Sequence, residues 1–311
     1  YEACTFGNGL PDVPTLHKDV RDAEIKDVEG FDAVIHLAGL SNDPLGDFNP
    51  DLTYEINYLA SVRLAKLCKQ AGVSRFIFSS SCSNYGAAGN DLLDENSAFN
   101  PVTPYGKSKV MVEQEVSLLA DEHFSPIFLR NATAYGYSPR LRFDLVLNNL
   151  VAWAFTASLI YLKSDGTSWR PIVHIRDISA AFLAAMTAPR ELVHNEAFNV
   201  GCTSENYRIR ELAELVAEIL PHCRIEYAPD ASPDKRNYRV NCDRIIDVLP
   251  GFQPAWTARQ GVEELYEAYQ RIGLANQDFE GPRYKRIAHI KLLLENGQLD
   301  PSLRWMVREQ G

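Results

Sequence analysis

The chain has 311 residues, of which 46% are hydrophobic and 23% charged, with a formal net charge of −10. This length suffices for one large α/β unit or two modest domains with a full core. The acidic balance argues against a nucleic-acid partner, and no window approaches the roughly 20 apolar residues that span a bilayer. A globular cytoplasmic protein is expected, in which a local group of arginines can still bind an anionic small ligand.

The six cysteines and seven histidines lack the spacing of a metal or redox site. No two cysteines form a C-x-x-C pair, and the histidines show no H-x-x-x-H grouping. Unpaired thiols are typical of a reducing compartment. The sequence therefore predicts free cysteines and no bound metal.

Strand-like apolar runs alternate with helical patterns in the first half of the chain, which is typical of parallel β-α-β units. The predicted elements are a strand over 32–38, a helix over 51–71, a strand over 75–79, a surface loop over 87–103, a helix over 104–121 and a strand over 125–129. The strands are apolar along most of their length, as strands buried on both faces are. We therefore predict an α/β fold with a doubly wound parallel sheet.

Beyond Gly136 the alternation becomes irregular. The predicted elements there are a helix over 144–157, a strand over 172–175, a helix capped by Asp177, a strand over 198–201 and a helix around 212–219. After Pro221 strand, loop and helix pieces follow without a β-α-β rhythm, and the tail beyond Leu274 is polar and helix-prone.

Tyr105 and Lys109 are four residues apart at the start of a predicted helix, so their side chains share one face. A lysine ammonium beside a phenol stabilises the phenolate and lowers the tyrosine pKa from about 10 toward neutrality. Such a tyrosine can exchange a proton with a substrate hydroxyl. By itself, however, a Y-x-x-x-K pattern is more often an incidental feature of a solvated helix face.

Three serines, Ser79, Ser80 and Ser81, lie at the carboxyl end of the strand that precedes this helix. Ligands bind outside the carboxyl ends of parallel strands, so a serine there can hydrogen-bond the substrate oxygen that Tyr105 addresses. The alternative is a serine-rich strand end that caps the next turn. Strand-end serines followed by a helical Y-x-x-x-K are more specific than either feature alone.

The runs Phe78–Gly86 and Pro104–Lys109 resemble the extended short-chain dehydrogenase/reductases of the NAD-dependent nucleotide-sugar epimerase/dehydratase family, and the resemblance covers nearly the whole chain. It implies a Rossmann-type fold, with NAD as the cofactor and NADP not excluded. It also implies a nucleotide-diphosphate sugar as the substrate. The implied catalytic residues are Ser81, Tyr105 and Lys109.

The resemblance also implies a cofactor site. His36-Leu37-Ala38-Gly39 is similar to a strand end beside the cofactor, Asp19-Val20-Arg21-Asp22 to an adenine-contacting segment, and Asn57 to an asparagine that orders a water and the lysine. The implied cofactor contacts are Asp19, Val20, Leu37, Ala38, Gly39, Asn57, Ser79, Tyr105, Lys109 and Ala132.

Substrate contacts are implied in the second half of the chain. Asn148-Asn149-Leu150 resembles a segment that meets the nucleotide diphosphate, Arg170 a phosphate-binding arginine, and Arg236, close to Asp234, a second one. Guanidinium groups suit this task because they bind phosphate bidentately; each arginine has an ordinary surface position as its alternative. The implied substrate contacts are Ser81, Cys82, Ser83, Thr133, Asn148, Asn149, Arg170 and Arg236.

Three departures from the family pattern narrow the prediction. The glycine-rich dinucleotide loop is absent, so we expect roughly 30–40 residues to precede Tyr1, the length of a β-α-β start. Thr133 stands where the family usually has a substrate-contacting asparagine. Cys82 and Ser83 replace the Asp-Glu pair that drives water elimination, which argues against a dehydratase and favours a packed role for the Cys82 thiol.

With dehydration disfavoured, Ser81, Tyr105 and Lys109 favour a nucleotide-sugar epimerase, with 4-epimerisation through a transient 4-keto sugar. The alternatives are a reductase of a nucleotide-linked keto sugar and, from another class, a catalytically silent NAD(P)-binding sensor.

The expected domains are a Rossmann portion over 1–138 completed by 171–202, a substrate-binding α/β portion over 139–170 and 203–273, and a helical extension over 274–311. A homodimer is expected through the helices over 51–71 and 104–121, with Val110, Met111 and Leu118 as interface candidates.

Overall fold

A computed structural model describes residues 4–6, 13–41 and 43–306. The strands are β1 (Ala33–His36), β2 (Arg75–Ser81), β3 (Ala87–Leu93), β4 (Ser125–Asn131), β5 (Thr133–Tyr135), β6 (Leu159–Ser164), β7 (Trp169–His174), β8 (Glu196–Val200), β9 (Asn206–Arg208), β10 (Arg224–Ser232) and β11 (Asn237–Val240). The helices are α1 (Asp43–Phe48), α2 (Pro50–Thr53), α3 (Ala60–Gln70), α4 (Pro104–Ser117), α5 (Val146–Ala157), α6 (Ile175–Thr187), α7 (Arg190–Val193), α8 (Ile209–Ile219), α9 (Asp243–Val248), α10 (Ala258–Ile272), α11 (Asn276–Glu280) and α12 (Arg286–Glu295). A π-helical turn, Tyr54–Leu59, joins α2 to α3, and a 3₁₀ helix, Cys82–Tyr85, follows β2.

The main sheet contains four parallel strands in the order β1-β2-β4-β8. Successive residues of β2 point to opposite faces. Phe76 and Phe78 pack in one cluster with side chains of α3 and α4, whereas Ile77 packs in a second cluster with side chains of α6, including Phe182. Helices therefore cover both faces, which confirms the predicted doubly wound α/β fold.

Three smaller sheets lie outside this one. Strands β5 and β7 are parallel and β7 pairs antiparallel with β9, while β6 pairs with β10 and β3 with β11. A second core of α5, α8 and α10 packs around β6, with Phe143, Tyr269 and Phe279 among its largest side chains. The predicted domain boundaries at 138, 170, 202 and 273 stay a prediction.

Two local predictions were wrong. The segment 87–103 was expected to be a loop, but its first residues form β3, because a distant strand, β11, supplies the hydrogen-bonding partner. Asp177 does not cap α6: the cap is His174, whose Nδ1 accepts from the Arg176 N–H at 3.2 Å. Asp177 instead lies buried and accepts from the backbone N–H groups of Ala255 and Trp256, at 3.0 and 3.1 Å.

The C-terminal segment packs on the amino-terminal part of the main sheet. Ile290 of α12 is buried against Leu40, which follows β1. Farther along, Arg304 forms an ion pair with Asp22. Among the helices described, none is long and apolar enough to cross a membrane. Over the same residues, no group of three or more histidine, cysteine, aspartate or glutamate side chains is arranged to hold a metal ion.

Candidate active site

Helix α4 brings the predicted tyrosine and lysine to the carboxyl end of β2. The helix begins because Pro104 suits the first turn and the Thr103 hydroxyl accepts from the Gly106 N–H at 3.1 Å. From this helix Lys109 Nζ donates to the Ser79 carbonyl at 2.6 Å. The same ammonium lies 5.6 Å from the centre of the Tyr105 ring, so one lysine contacts both the tyrosine and the strand end.

The surroundings of Lys109 control its charge. The side chain is buried and also lies 4.4 Å above the Phe78 ring. Burial lowers the pKa of Lys109 to about 8, and the charge of Glu113 acts in the opposite direction. His36 on β1 is neutral, because burial and then the charge of Lys109 lower its pKa to about 3. A largely protonated lysine therefore adjoins the tyrosine at neutral pH.

Ser81 is the last residue of β2 and is half-buried. Its Oγ accepts from the Ser83 N–H at 3.1 Å and caps the 3₁₀ helix that follows. Helix α4 lies tightly against this turn, since a Cβ at Gly106 would be 3.0 Å from the Ser83 carbonyl oxygen. Ser81 and the start of α4 are therefore held against each other. Ser81 therefore has the capping role that was considered as its alternative. Capping uses a lone pair of Oγ, so the hydroxyl proton can still be donated to a substrate oxygen.

Asn57 fixes the loop after β1 to helix α4. Its Oδ1 accepts from the Leu40 N–H at 2.7 Å and its Nδ2 donates to the Leu40 carbonyl at 2.9 Å. The same Nδ2 lies 3.5 Å from Ser108 Oγ. The π-helical turn supplies this position, and such turns are frequent at functional sites. Gly39 is required beside it, since its φ is +153° and a Cβ would be 2.9 Å from Asn57 Oδ1.

The segments that were predicted to contact the cofactor lie beside an exposed part of the edge of the main sheet. Leu37, Ala38 and Gly39 are exposed where β1 ends. Asp19 accepts hydrogen bonds from the backbone N–H and the guanidinium of Arg21, and these bonds lower the Asp19 pKa. Val20 is the next residue and is half-buried. The exposed segment after β1, with the close approach of Asn57 to Gly39, is accessible to a dinucleotide. Ala132 lies farther along the sheet, where it is buried and its N–H binds the Val200 carbonyl.

Asn131 is a candidate that the sequence analysis missed. It pairs in register with Ser81 across β2 and β4, and its Nδ2 donates to Ser79 Oγ at 3.1 Å. Its Oδ1 is buried without a hydrogen-bond partner among the described residues. The sequence feature that could have indicated Asn131 is its position immediately before Ala132, at the end of β4. That strand lies next to β2, which ends with the three serines. Two residues later Thr133 begins β5, half-buried and in register with Ile172 of β7.

The two predicted phosphate-binding arginines meet at one carboxylate. Asp234 Oδ2 lies 2.8 Å from Arg170 Nη2 and 2.6 Å from Arg236 Nη2. Burial alone would raise the Asp234 pKa, but hydrogen bonds from Arg236 and the charges of both arginines lower it to about 2. Arg170 is buried and also donates to the carbonyls of Trp169 and Arg236. The cluster carries one net positive charge and includes a carboxylate with which a phosphate would compete.

Asn148 and Asn149 bind the protein backbone. Asn148 is buried, accepts from the Gly136 N–H at 3.0 Å and donates to the Arg142 carbonyl at 3.0 Å. Asn149 Nδ2 donates to the Phe143 carbonyl at 2.8 Å. Both amides thus hold the segment between β5 and α5. Their predicted contact with the diphosphate stays a prediction, and it would need these bonds to rearrange.

Cys82 requires a correction. It was predicted both as a substrate contact and as a packed thiol; it is fully buried, with its Sγ 3.1 Å from the Arg130 carbonyl, so the packed role is confirmed and a side-chain contact with substrate is not supported. Burial raises the Cys82 pKa, so the thiol is neutral and packed in the core. Ser83 is also buried, and its Oγ has no hydrogen-bond partner among the described residues. Neither position after Ser81 carries an acid/base side chain.

Comparison with known proteins adds to this geometry. Residues 9–201 match the model of the NAD dependent epimerase/dehydratase family. UDP-glucose 4-epimerase GEPI42 of Cyamopsis tetragonoloba is 26% identical over 284 residues, which cover 80% of this chain and 75% of that protein. The human UDP-glucose 4-epimerase is 27% identical over 263 residues, covering 76% of this chain and 72% of that protein.

A solved structure of MoeE5 in complex with UDP-glucuronic acid and NAD superposes with a TM-score of 0.75 at 25% identity, covering 85% of this chain and 89% of that one. UDP-glucuronic acid 4-epimerase from Bacillus cereus, at 21% identity and a TM-score of 0.72, covers 82% of this chain and 81% of that one. The second likeness supports the fold alone. The predicted family resemblance is confirmed.

Proposed function

The chain belongs to the NAD dependent epimerase/dehydratase family, and we propose that it is a nucleotide-sugar 4-epimerase that works through a transient 4-keto sugar. The observation that carries the proposal is Lys109, which lies between the Tyr105 ring and the Ser79 carbonyl at the end of the strand that closes with Ser81. The relatives named UDP-glucose 4-epimerase support the same reaction.

In this proposal Tyr105 transfers the proton of the sugar hydroxyl, and Ser81 donates a hydrogen bond to the same oxygen. Lys109 adjoins the phenol as a cation and stabilises its ionised form. General acid–base catalysis of this kind accelerates a reaction by about 10²–10⁴-fold. When bound, NAD would supply the hydride acceptor for oxidation of the sugar and, in its reduced form, the hydride donor for reduction of the keto sugar.

The residues that would hold NAD are those predicted from the family resemblance at and around the end of β1. Asn57 lies against Gly39, Lys109 donates to the Ser79 carbonyl at the end of β2, and Asp19 precedes β1 in the chain. Asp19 also suits a hydroxyl-rich ribose, because a carboxylate accepts hydrogen bonds from hydroxyl groups. The family name itself specifies NAD.

Dehydration is disfavoured because nothing after Ser81 can remove a proton and protonate a leaving hydroxyl. Cys82 is buried and neutral, and Ser83 is a buried hydroxyl. We therefore infer that the keto sugar is reduced again without losing water. Arg170 and Arg236 would bind the diphosphate, which exchanges places with the carboxylate of Asp234.

The test is to assay the purified protein with UDP-glucose and no added cofactor. A 4-epimerase retains its nicotinamide through each cycle, so the 4-epimer should accumulate without a steady change in near-ultraviolet absorbance. Stoichiometric use of added NADH or NADPH to reduce a nucleotide-linked keto sugar, with no 4-epimer formed, would identify a reductase instead. Binding of NAD with neither reaction would leave the sensor alternative.

We further propose a homodimer in the cytoplasm. All six cysteines are free thiols, as expected in a reducing compartment. At the predicted interface Leu118 is 83% exposed and Met111 is half-buried, whereas Val110 is buried within its own chain and is withdrawn as an interface residue. Sedimentation at micromolar concentration should give a dimer-sized species, and Leu118→Glu should weaken it.

A further inference from the structure

A buried carboxylate extends the functional face of α4 by one more turn. Glu113 follows Lys109 by four residues and Tyr105 by eight, so all three side chains lie along one side of the helix. Glu113 is 5% exposed, and no step of the proposed reaction uses it. Burying a charge is unfavourable unless it is paired and hydrogen-bonded, so its partners indicate what it does.

The partners of Glu113 come from the ends of two strands and the turn between β2 and β3. Its carboxylate accepts from Ser80 Oγ on β2 and from Asn84 Nδ2 of the 3₁₀ helix at 2.9 Å. Arg130 on β4 donates to both oxygens, through Nη2 to Oε2 at 2.7 Å and through Nε to Oε1 at 3.2 Å. Glu113 and Arg130 thus form a buried, forked ion pair, each side chain 6% exposed.

Arg130 extends the network across the sheet. Its Nη1 donates to Tyr85 Oη at 3.1 Å and to the Glu95 carbonyl at 3.0 Å. Tyr85 in turn donates to Asn199 Oδ1 on β8 at 2.8 Å. Helix α4 is therefore tied by directional bonds to β2, β4 and β8, on the carboxyl side where the candidate site lies.

Stability alone does not account for these charges. A buried ion pair contributes little net stability compared with apolar side chains of the same volume. What a forked pair adds is a fixed orientation, together with a negative charge one helical turn from Lys109. Both effects act on the geometry and charge of the two residues that carry the proposed proton transfer.

We propose that Glu113 is a positioning residue for Tyr105 and Lys109: its carboxylate fixes the rotation of α4 against the strand ends, and its negative charge stabilises the ammonium form of Lys109. This inference rests on the proposed function of those two residues. It assigns to Glu113 no contact with substrate or cofactor.

Among the groups around Lys109, Glu113 is the anion whose charge acts on the ammonium, and it is itself paired with Arg130. His36 faces it from β1 and is neutral, while Phe78 and Ser79 face it from β2 with a ring and a carbonyl. Tyr105 lies one turn before it on the same helix. Burial lowers the Lys109 pKa, and the charge of Glu113 raises it.

The experiment compares the wild type with Glu113→Gln, which keeps the size and one acceptor oxygen but removes the charge. The Lys109 ammonium is titrated directly by ¹³C NMR of protein labelled at the lysine ε carbons, with Lys109→Met to assign the signal. We expect the midpoint to fall by about one pH unit. The limb of the kcat–pH profile that reports Lys109 should move by the same amount.

Three further variants separate charge from packing. Arg130→Lys keeps both charges but loses the forked geometry, so kcat should fall while the Lys109 midpoint stays at the wild-type pH. Glu113→Gln combined with Arg130→Met removes both charges; it should fold even if the single variant does not, and its midpoint should also be low. Glu115→Gln, on the same helix but bonded to Tyr58, should leave the midpoint unchanged.

An unmoved Lys109 midpoint in both variants that lack the Glu113 charge would overturn the electrostatic role. A kcat and KM in Arg130→Lys equal to those of the wild type would overturn the positioning role. Because the NMR titration needs neither substrate nor turnover, absence of epimerase activity in the wild type would refute the proposed function without deciding this inference.

Discussion

The two halves of the candidate site differ in where their polar partners come from. In the proton-transfer group (Ser81, Tyr105 and Lys109) the lysine and the tyrosine are one helical turn apart, and the lysine contacts the end of β2. In the arginine pair (Arg170 and Arg236) the two residues are 66 positions apart and meet through Asp234. One helix brings the tyrosine and lysine of the first group together, whereas the two arginines are brought together by the packing of distant segments.

This difference has a chemical consequence. In the proton-transfer group, the Lys109 ammonium donates to the Ser79 carbonyl and the Ser81 hydroxyl accepts from the Ser83 N–H, so both are oriented by uncharged backbone groups. The arginine pair is already neutralised in part by a carboxylate, so a phosphate must replace an existing ion pair. Its contribution to affinity is therefore the difference between two charged interactions, which is smaller than the interaction with phosphate taken by itself.

The largest effect is expected from Tyr105→Phe, which removes the hydroxyl proposed to carry the proton. Its kcat should fall by about 10²–10⁴-fold while NAD binding stays near that of the wild type. Tyr227→Phe, at a tyrosine that is 49% exposed, serves as the matched control and should leave kcat unchanged. Equal turnover by Tyr105→Phe and the wild type would show that the Tyr105 hydroxyl does not carry the proton.

A smaller effect is expected from Arg236→Ala. Loss of a hydrogen bond to a charged group costs about 1.5–3 kcal/mol, or roughly 10–100-fold in affinity. Because the phosphate replaces Asp234 as the partner of Arg236, KM for the nucleotide sugar should rise by less than this, with kcat changed much less. Arg170→Ala should also lower the unfolding midpoint, because Arg170 is buried and holds the carbonyls of Trp169 and Arg236. If Arg236→Ala lowers kcat and leaves KM unchanged, the assignment to phosphate binding is wrong.

Asp234 provides a pH test of the same cluster. Its pKa is lowered in the folded protein to about 2 from an ordinary value of 3.8, so its ionised form stabilises the fold above pH 4. This contribution, about 2 kcal/mol, should be lost as the pH falls from about 4 to about 2. Urea unfolding of the wild type and Asp234→Asn checks it: the difference between them should shrink over that range and stay constant from pH 5 to 7.

The smallest effect is expected from Gly46→Ala, which tests how tightly the proton-transfer group is held. An added Cβ would lie 3.1 Å from the Tyr105 Cβ, so the two helices must separate by a few tenths of an ångström. Alanine also favours a helix by up to about 1 kcal/mol, which offsets the strain in the unfolding midpoint. We expect kcat to fall by less than about tenfold with an unchanged melting temperature, because small displacements affect reaction geometry.

Much of the fold and of the proton-transfer group was predictable because the signals are local. The apolar run that forms β2 and the proline and threonine at the start of α4 each determine an element within a few residues. Glu113 was also within reach, since it continues the spacing of Tyr105 and Lys109 by four more residues. A helical spacing shows that a side chain shares a face, but it does not show what that face packs against.

The sequence by itself determined the doubly wound sheet, the shared face of Tyr105 and Lys109, and the serine strand beside them, because each follows from periodicity over one or two elements. Only the tertiary structure decided that residues 87–93 form a strand and that Asp177 binds the backbone at 255–256. It also decided that Asp234 joins the two arginines and that Arg130 holds Glu113. Each of these contacts depends on a partner that is distant in the chain. An unpaired polar group in the core is strongly unfavourable, so a buried polar side chain must find such a partner for the fold to be stable.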